Sequence, residues 1–406
     1  MKNIKTQKGI TLIALVITII VMLILVGVTI SMALNGGLFG YAKKAAKDTE
    51  SQKQAEQDLA SGKVTVNGKD YASIDDYLNN RPEPKEYSEE LLDETTKVLK
   101  ENAKYVSDGK TAIVPKGFKM SNKKEEQSIA NGLVIQDETG NEYVWVPVED
   151  GALDRTNWNL ETGEPTGTIS SELTEALPGD LVNSITINKG FYIGRYEAGR
   201  STETTSSDTI SEILTKKGEY PYFGVTYDDA TNEVKKMYTD KTKYGVEATL
   251  QYGAMWDETL KFVKDETHSV TDSKSWGNYD DQVFTFSGKY YDTNWSEEVT
   301  NKNKWEDDGY NGVWLLTTGA TERNKAKNIY DLAGNTMEWT KEKYNETECV
   351  FRGGWYISAN VCKAAARLDG HEHKSATYRG STVSNAEGGM GVNVDKTGFR
   401  VALYIK

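Results

Sequence analysis

Residues 328–340 read Asn-Ile-Tyr-Asp-Leu-Ala-Gly-Asn-Thr-Met-Glu-Trp-Thr, and this stretch carries the most specific signal in the 406-residue chain. Three short segments follow it: Arg-Gly-Gly-Trp-Tyr at 352–356, Ala-Ala-Ala-Arg at 364–367 and Thr-Gly-Phe-Arg-Val-Ala at 397–402. Proline is scarce, with 7 residues, whereas glycine is plentiful, with 36, as are Asn, Asp and Thr. Such a composition favours turns and short strands over long helices. The sequence therefore predicts short strands joined by long polar loops.

Near residue 111 the hydrophobic pattern changes to that of short alternating strands. Alternating apolar residues predict strands at 143–148 and 191–197. The spacing of apolar residues at 250–263 predicts a helix. Residues 200–245 are polar and rich in Gly, Asp and Thr, so we expect them to form loops.

The C-terminal segments occur in an order typical of one protein family. The stretch at 328–340 resembles the "YD-x-x-GN-x-WEWT" segment of the formylglycine-generating enzyme (sulfatase-modifying factor) family. The segments at 352–356, 364–367 and 397–402 are similar to three of its later strands, and the resemblance covers about residues 111–406. It implies the α+β class and a C-type-lectin-like domain of the sulfatase-modifying factor type: a small twisted antiparallel sheet, two helices and long loops.

The same family carries a calcium site in the loop that matches this stretch. Carried over by the resemblance, Asp331 and Glu338 would supply carboxylate oxygens, and Gly334 and Thr336 would supply backbone carbonyl oxygens. Ca²⁺ is a hard cation that takes six to eight oxygen ligands of these kinds. The resemblance therefore implies one structural calcium ion as a cofactor. A hydrogen-bonded loop without an ion is the alternative.

The catalytic chemistry of the family needs two cysteines that bind copper and activate oxygen. Their positions here are Ser358 and Lys363, and Cys362 beside the second position supplies at most one thiolate. Because a lone thiol cannot form a two-thiolate copper site, we expect no copper, no catalytic residues and no enzymatic activity. The other cysteine, Cys349, either forms a disulfide with Cys362, or both are buried thiols.

The N-terminus holds an uncharged apolar stretch at 10–34. At a rise of 1.5 Å per residue, a helix of this length crosses a hydrocarbon core of about 30 Å. Lys2, Lys5 and Lys8 precede it, which favours a cytoplasmic N-terminus. The sequence therefore predicts a single-pass protein of the cell membrane, with the bulk of the chain extracellular.

The residues around Gly9 and Ile10 resemble the type IV prepilin leader: a short basic segment, a glycine and then a hydrophobic helix. This resemblance implies a prepilin peptidase as a partner that cleaves between Gly9 and Ile10, followed by N-methylation of Ile10. The fifth mature position, usually Glu in pilins, is Ala14 here, so the charge pair that fixes register in a pilus has no counterpart. An ordinary signal anchor and a signal peptide cleaved near residues 31–33 are the alternatives.

Four parts make up the predicted organisation of the chain. They are a prepilin-like leader at 1–9, a transmembrane helix at 10–40, a polar spacer at 41–110 with short helices and a hairpin, and the resembling domain at 111–406. Within the spacer, apolar spacing predicts an amphipathic helix at 88–104.

The function follows from these parts and from the charge. A formal net charge of -13 repels phosphate backbones, so we expect no nucleic acid partner. The anchor, the spacer and the unmatched cysteine pair together predict a membrane-anchored extracellular binding or adhesion protein for a protein or glycan ligand. A minor pilin or pseudopilin, a formylglycine-generating oxidoreductase and a receptor diversified by a retroelement are the alternatives. The resemblance places the ligand on the loop face near Trp355, Tyr356, Ser358, Asn360 and Tyr378.

Overall fold

The fold was examined in a computed structural model. It describes residues 64–66, 69–73, 76–77, 80, 83–159, 162–166, 169, 174–205, 208–291, 294–296, 301–302, 314–343, 349–356, 364–365, 367–369 and 397–406. The chain divides into two compact units, Met1–Val64 with Asp70–Ser73, and Thr65–Lys69 with Ile74–Lys406. The first unit lies almost wholly outside the described residues, as do the leader, Gly9, Ile10 and the predicted membrane segment. Within the described residues, no helix is both long enough and apolar enough to cross a membrane.

The second unit belongs to the α+β class, as predicted. Its described part contains three helices, α1 (Gly179–Asn188), α2 (Tyr227–Val234) and α3 (Gly253–Val263), among many short strands. Helix α3 confirms the prediction at 250–263, because Trp256 and Leu260 lie one turn apart in the core.

The strands of the first half are short. In chain order they are β1 (Val64–Val66), β2 (Lys69–Tyr71), β3 (Lys85–Glu86), β4 (Ala103–Ser107), β5 (Lys110–Val114), β6 (Phe118–Met120), β7 (Val134–Asp137), β8 (Glu142–Pro147), β9 (Asn157–Trp158), β10 (Pro165–Thr166), β11 (Gly190–Gly194), β12 (Gly199–Arg200) and β13 (Tyr220–Pro221).

Those of the second half include the longest described strand, the seven-residue strand at Met337–Lys343. They are β14 (Val246–Leu250), β15 (Phe284–Thr285), β16 (Tyr290–Tyr291), β17 (Trp295–Ser296), β18 (Asn301–Lys302), β19 (Leu315–Leu316), β20 (Lys325–Ala326), β21 (Ile329–Tyr330), β22 (Met337–Lys343), β23 (Cys349–Arg352), β24 (Arg367–Asp369), β25 (Thr397–Gly398) and β26 (Val401–Ile405).

The main sheet has six antiparallel strands in the order β14-β26-β11-β8-β7-β6. The strands predicted at 143–148 and 191–197 are confirmed as β8 and β11. In the ladder, Tyr192 lies opposite Trp145 on one side and Leu403 on the other. The C-terminal strand β26 is therefore an interior strand of this sheet.

Both faces of the main sheet are buried. Because side chains alternate along a strand, Trp145 and Tyr192 point into one hydrophobic cluster, whereas Val144 and Ile193 point into the other. The first cluster also takes apolar residues of α2, and the second takes those of α1 and α3. Fully buried aromatic and β-branched side chains of this kind stabilise the fold by about 1.5–3 kcal/mol each.

A four-stranded sheet, β24-β23-β22-β25, contains residues of the segments that were identified in the sequence. Strand β22 pairs antiparallel with β23 and parallel with β25, so that Met337 lies opposite Thr397 and Glu338 opposite Gly398. The parallel pairing brings the chain at 397–400 against the loop that precedes β22. Two distant segments therefore meet around one loop.

The folded unit extends beyond the boundary predicted at residue 111. Strands β3, β4 and β5 form a three-stranded sheet, and Leu99 and Ala103 lie in the same buried cluster as Tyr192. The Tyr192 hydroxyl donates a hydrogen bond of 3.0 Å to the carbonyl oxygen of Ile113. Residues 83–110 are therefore part of the packed domain rather than a separate spacer.

The amphipathic helix predicted at 88–104 is wrong. The structure has a 3₁₀ turn at Glu89–Leu91 and then a tight turn around Asp93, whose carboxylate accepts hydrogen bonds from the backbone N–H groups of Thr95 and Thr96 at 2.9 and 3.0 Å. Such side-chain-to-backbone bonds compete with a helix. Lys97 then adopts a left-handed φ of 59°, which ends any helical path.

Candidate functional site

In the loop between β21 and β22, three residues have positive φ angles: Asp331 at 56°, Gly334 at 73° and Asn335 at 64°. Glycine is required at 334, because a Cβ atom there would lie 2.2 Å from the carbonyl oxygen of Asn278. The Gly334 N–H donates a 2.9 Å hydrogen bond to the carbonyl oxygen of Gly353. The loop is thus clamped between two other segments of the domain.

Asn335 is completely buried and its side-chain amide is fully used. Its Oδ1 atom accepts from the backbone N–H of Leu316 and from Nδ2 of Asn278, both at 2.9 Å. Its Nδ2 atom donates to the Leu316 carbonyl at 3.2 Å and to Oε2 of Glu197 at 2.6 Å. A buried amide satisfied in this way fixes the loop conformation.

Glu197 is the residue that the sequence analysis missed. It is fully buried, and its Oε1 atom accepts two hydrogen bonds from Thr336, one from the backbone N–H at 2.9 Å and one from the hydroxyl at 2.7 Å. Its only sequence signal was a carboxylate at the end of an apolar strand predicted at 191–197. The partner residues, Asn335 and Thr336, lie 138 and 139 positions later, so no local sequence pattern indicates this pairing.

The carboxylate of Glu338 pairs with the guanidinium of Arg400, and both side chains are buried. Nε of Arg400 donates to both carboxylate oxygens at 2.9 and 3.1 Å, and Nη2 donates to Oε1 at 2.5 Å. Nη1 donates to the carbonyl of Gly194 at 3.1 Å, and Gln251 donates to Oε2 of Glu338 at 3.3 Å. This fork-to-fork geometry is among the strongest pairings of side chains.

Asp331 lies at the other end of the loop and is also buried. Its Oδ2 atom accepts from the backbone N–H of Gly319 at 2.7 Å, and its Oδ1 atom accepts from Nδ2 of Asn324 at 3.2 Å. The carboxylate therefore ties the loop to the turn at 317–320.

Burial dominates the electrostatics of this cluster of Glu197, Asp331, Glu338 and Arg400. It raises the pKa of the Glu197 carboxyl well above its ordinary value, and the charges of Asp331 and Glu338 act in the same direction. Burial also raises the pKa of Asp331. For Arg400, burial lowers the pKa, but the charge and hydrogen bonds of Glu338, together with the charges of Glu197 and Asp331, outweigh burial and keep the pKa raised. Three acids thus surround one permanent cation.

Two of the four predicted calcium ligands, Asp331 and Glu338, have carboxylates that accept hydrogen bonds from other groups in this structure. The oxygens of Glu338 accept from Arg400, those of Asp331 accept from Gly319 and Asn324, and Thr336 donates to Glu197. The described residues contain no group of three or more His, Cys, Asp or Glu side chains placed to hold a metal ion. Calcium at this loop stays a prediction from the resemblance.

The predicted ligand-binding residues fall into two groups. Trp355 and Tyr356 are buried, with exposed fractions of 4% and 2%, and the backbone N–H of Tyr356 donates to the carbonyl of Asn335 at 3.2 Å. Ser358, Asn360 and Tyr378 lie outside the described residues. The structure therefore places the two aromatic residues in the core, next to the loop.

A second buried charge cluster surrounds the start of α3. Arg352 donates to Asp257 at 2.8 Å, and its Nη1 atom lies 3.6 Å from the carboxylate of Glu342, to which Arg155 donates at 3.2 Å. Glu175 accepts from the N–H groups of the first two residues of α3. Burial raises the pKa of Glu175 to about 7, and the charge of Glu342 acts in the same direction.

The second cluster is joined to two of the segments identified in the sequence, because Arg352 also donates to the carbonyl oxygen of Ala365 at 3.4 Å. Arg352 comes from the Arg-Gly-Gly segment, and Cys349, on the same strand β23, is buried. Cys362, Ser358 and Lys363 lie outside the described residues, so the absence of copper and the state of the two cysteines remain predictions.

No protein-family model and no curated protein matches the sequence. Among solved structures, the chain is similar to "Treponema denticola variable protein 1", with a TM-score of 0.28 and 14% sequence identity, covering 53% of this chain and 84% of that chain. A likeness this weak does not establish a shared fold or a shared function.

Proposed function

We propose that this protein is a membrane-anchored extracellular binding or adhesion protein whose C-terminal part is a catalytically inactive, formylglycine-generating-enzyme-like domain with a C-type-lectin-like fold. The predicted helix at 10–40 holds it in the cell membrane, and its ligand is a protein or a glycan.

One observation carries this proposal: the acidic residues around the loop between β21 and β22, called the motif loop below, are already bonded to other groups of the protein. Glu197 and Asp331 accept hydrogen bonds from neighbouring groups, and Glu338 is paired with Arg400, all of them buried. Buried carboxylates whose oxygens accept such hydrogen bonds stabilise the fold, and they are not exposed to a substrate. A rigid framework that holds long loops is the usual arrangement of binding domains. The unmatched cysteine positions, Ser358 and Lys363, also favour binding over oxidation.

Binding is tested with the full-length chain, purified in a non-ionic detergent, on glycan and protein arrays. Tyr378→Ala and Asn360→Ala should each weaken binding of any ligand found by about tenfold or more, because truncating an anchor residue costs about 1–2 kcal/mol or more. Lys236→Ala, an exposed change on α2's C-terminal side, is the matched control and should bind as the wild type does. Binding that survives both loop changes contradicts this placement of the ligand. Ala variants of Trp355 and Tyr356 would chiefly report core packing, because both are buried.

Location is tested by treating intact cells with a protease. We expect fragments from residues 83–406 to be released, while a membrane-protected N-terminal fragment stays with the cells. Full protection of the chain in intact cells would contradict an extracellular domain.

A minor pilin or pseudopilin is the second candidate, favoured by the leader-like residues around Gly9 and Ile10. Mass spectrometry of the mature N-terminus decides between them: an N-methylated Ile10 shows processing by a prepilin peptidase, and an intact Met1 excludes it. Recovery of the chain in sheared surface fibres would then favour the structural role, for which Ala14 lacks the usual carboxylate.

A further inference from the structure

Asn131 and Gly132 form the second half of a tight turn that precedes β7. The N–H of Gly132 donates to the carbonyl oxygen of Ile129 at 3.3 Å, which is longer than the usual separation of about 2.9–3.0 Å and marks a weak bond. The Asn131 side chain is exposed, and within the described part of the chain no group forms a hydrogen bond with its amide. This amide is therefore free to turn toward the backbone.

Glycine is required at position 132. Its φ angle is 92°, and a Cβ atom there would lie 1.9 Å from the carbonyl oxygen of Lys327. Asn-Gly pairs occur at four places in the chain, 35–36, 67–68, 131–132 and 311–312, and the third of them is the pair that the structure describes. An exposed asparagine amide thus precedes a backbone nitrogen that no side chain of its own residue shields.

The side chain of Asn328 bonds to both residues of this pair. Its Nδ2 atom donates to the carbonyl oxygen of Asn131 at 3.2 Å and to that of Gly132 at 2.8 Å. The Asn131 carbonyl belongs to the same peptide unit as the Gly132 nitrogen, so its oxygen carries part of the negative charge when that nitrogen loses its proton. A hydrogen bond to a charged oxygen is about twice as strong as one to a neutral oxygen. The contact therefore stabilises the deprotonated, nucleophilic form of this peptide unit more than its neutral form.

We propose that Asn131 is a site of spontaneous deamidation, which the side chain of Asn328 promotes. The deprotonated backbone nitrogen of Gly132 attacks Cγ of Asn131, so that an N–C bond closes a five-membered succinimide ring. The bond from Cγ to the side-chain nitrogen then breaks, and this nitrogen keeps the bonding electrons, takes a proton from water and leaves as ammonia. Water adds to one of the two ring carbonyls and opens the ring, which gives aspartate or isoaspartate.

The reaction changes the contact between this turn and the hairpin β20–β21, which leads into the motif loop. Lys327 and Asn328 form the two-residue loop of this hairpin, with left-handed φ angles of 48° and 64°. Isoaspartate lengthens the main chain by one methylene group and turns the original carbonyl of residue 131 into a free carboxylate. The two hydrogen bonds from Asn328 cannot both persist, so deamidation weakens this contact.

The test incubates the full-length chain in a non-ionic detergent and mildly alkaline buffer, and then follows the mass of one tryptic peptide. This peptide, residues 125–155, contains two asparagines, Asn131 and Asn141. Asn141 is the internal control, because it is buried, donates to Asp137 at 3.0 Å and accepts from the N–H of Thr215 at 3.0 Å. We expect a gain of about one dalton at Asn131 and none at Asn141, with isoaspartate and aspartate both present in electron-transfer fragment spectra.

Two glycine variants of the hairpin loop provide the matched comparison. Asn328→Gly suits the left-handed φ of its position but removes the donor, so deamidation at Asn131 should slow about two- to tenfold, the effect of one hydrogen bond. Lys327→Gly changes the other residue of the loop and keeps the donor, so Asn131 should react at the wild-type rate. The proposal is overturned if Asn131 stays intact in the folded chain while the chain unfolded in urea converts it. It is also overturned if Asn328→Gly reacts as fast as the wild type or faster, or if Lys327→Gly slows the reaction equally.

Discussion

Replacing Arg400 with methionine tests whether the buried ion pair with Glu338 holds the domain together. Arg400 is fully buried, and its guanidinium donates three hydrogen bonds to Glu338 and a fourth to the carbonyl of Gly194. Methionine fills much of the same volume but leaves the Glu338 carboxylate without this cation. Removing one partner of a buried ion pair costs about 3–5 kcal/mol, so we expect Arg400→Met to lose that much of the free energy of unfolding.

The assay is urea unfolding followed by the fluorescence of the nine tryptophans. With a slope of about 3 kcal/mol per molar urea for a domain of this size, the midpoint should fall by about 1–1.7 M. Lowering the pH should restore part of the loss, because protonation removes the unpaired charge of Glu338. The double variant Glu338→Gln with Arg400→Met removes both charges and should be more stable than Arg400→Met alone. A loss below about 1 kcal/mol in Arg400→Met, or a double variant less stable than the single one, would refute this reasoning.

Three further measurements test other parts of the structure. Gly334→Ala should lower the urea midpoint much more than Gly218→Ala, because both have positive φ but only the first places a Cβ atom 2.2 Å from a backbone oxygen; equal losses would count against the clamped loop. For Glu175, whose folded pKa is raised from 4.5 to about 7, the contribution to stability is present at low pH and lost as the pH rises through 7. The stability of the wild type relative to Glu175→Gln should therefore fall by about 2–3 kcal/mol between pH 4.5 and 8, and a flat difference in urea titrations would contradict the assignment. Metal analysis and thermal melts in calcium, EGTA and copper test the cofactor predictions. Bound calcium together with a lower melting temperature in EGTA would support a structural calcium ion, whereas no effect of EGTA would exclude one. Stoichiometric copper would restore the oxidoreductase alternative.

Local sequence patterns predicted those strands and that helix whose formation depends on residues close together in the chain. Strands β8 and β11 follow from apolar alternation, and α3 follows from apolar spacing at 250–263. Helix α2 was missed inside the stretch expected to form loops, although its start has a local signal: the side chain of Thr226 accepts from the N–H of Asp229 and caps the helix. The signal was overlooked because the polar composition of 200–245 outweighed it.

The motif loop could be found from the sequence, but its partners could not. Asp331 and Glu338 lie within one recognisable stretch. Arg400, however, donates to Glu338 from 62 positions away, and Glu197 accepts from Asn335 and Thr336, which lie 138 and 139 positions later. No periodicity or turn signal encodes such pairing, because it depends on how strands β11, β22 and β26 are arranged in space. The same limit explains why Trp355 and Tyr356 were expected at a ligand face and are found buried.

The interior position of β26 has a consequence for how the protein is made. Since β26 separates β14 from β11, the main sheet stays in two pieces until residues 401–405 have left the ribosome. Until then, β11 and β14 each present an unpaired edge, and the apolar residues that β26 covers remain exposed in the nascent chain. The main sheet therefore closes only in a late step of folding, and we expect chaperones that shield strand edges to assist it.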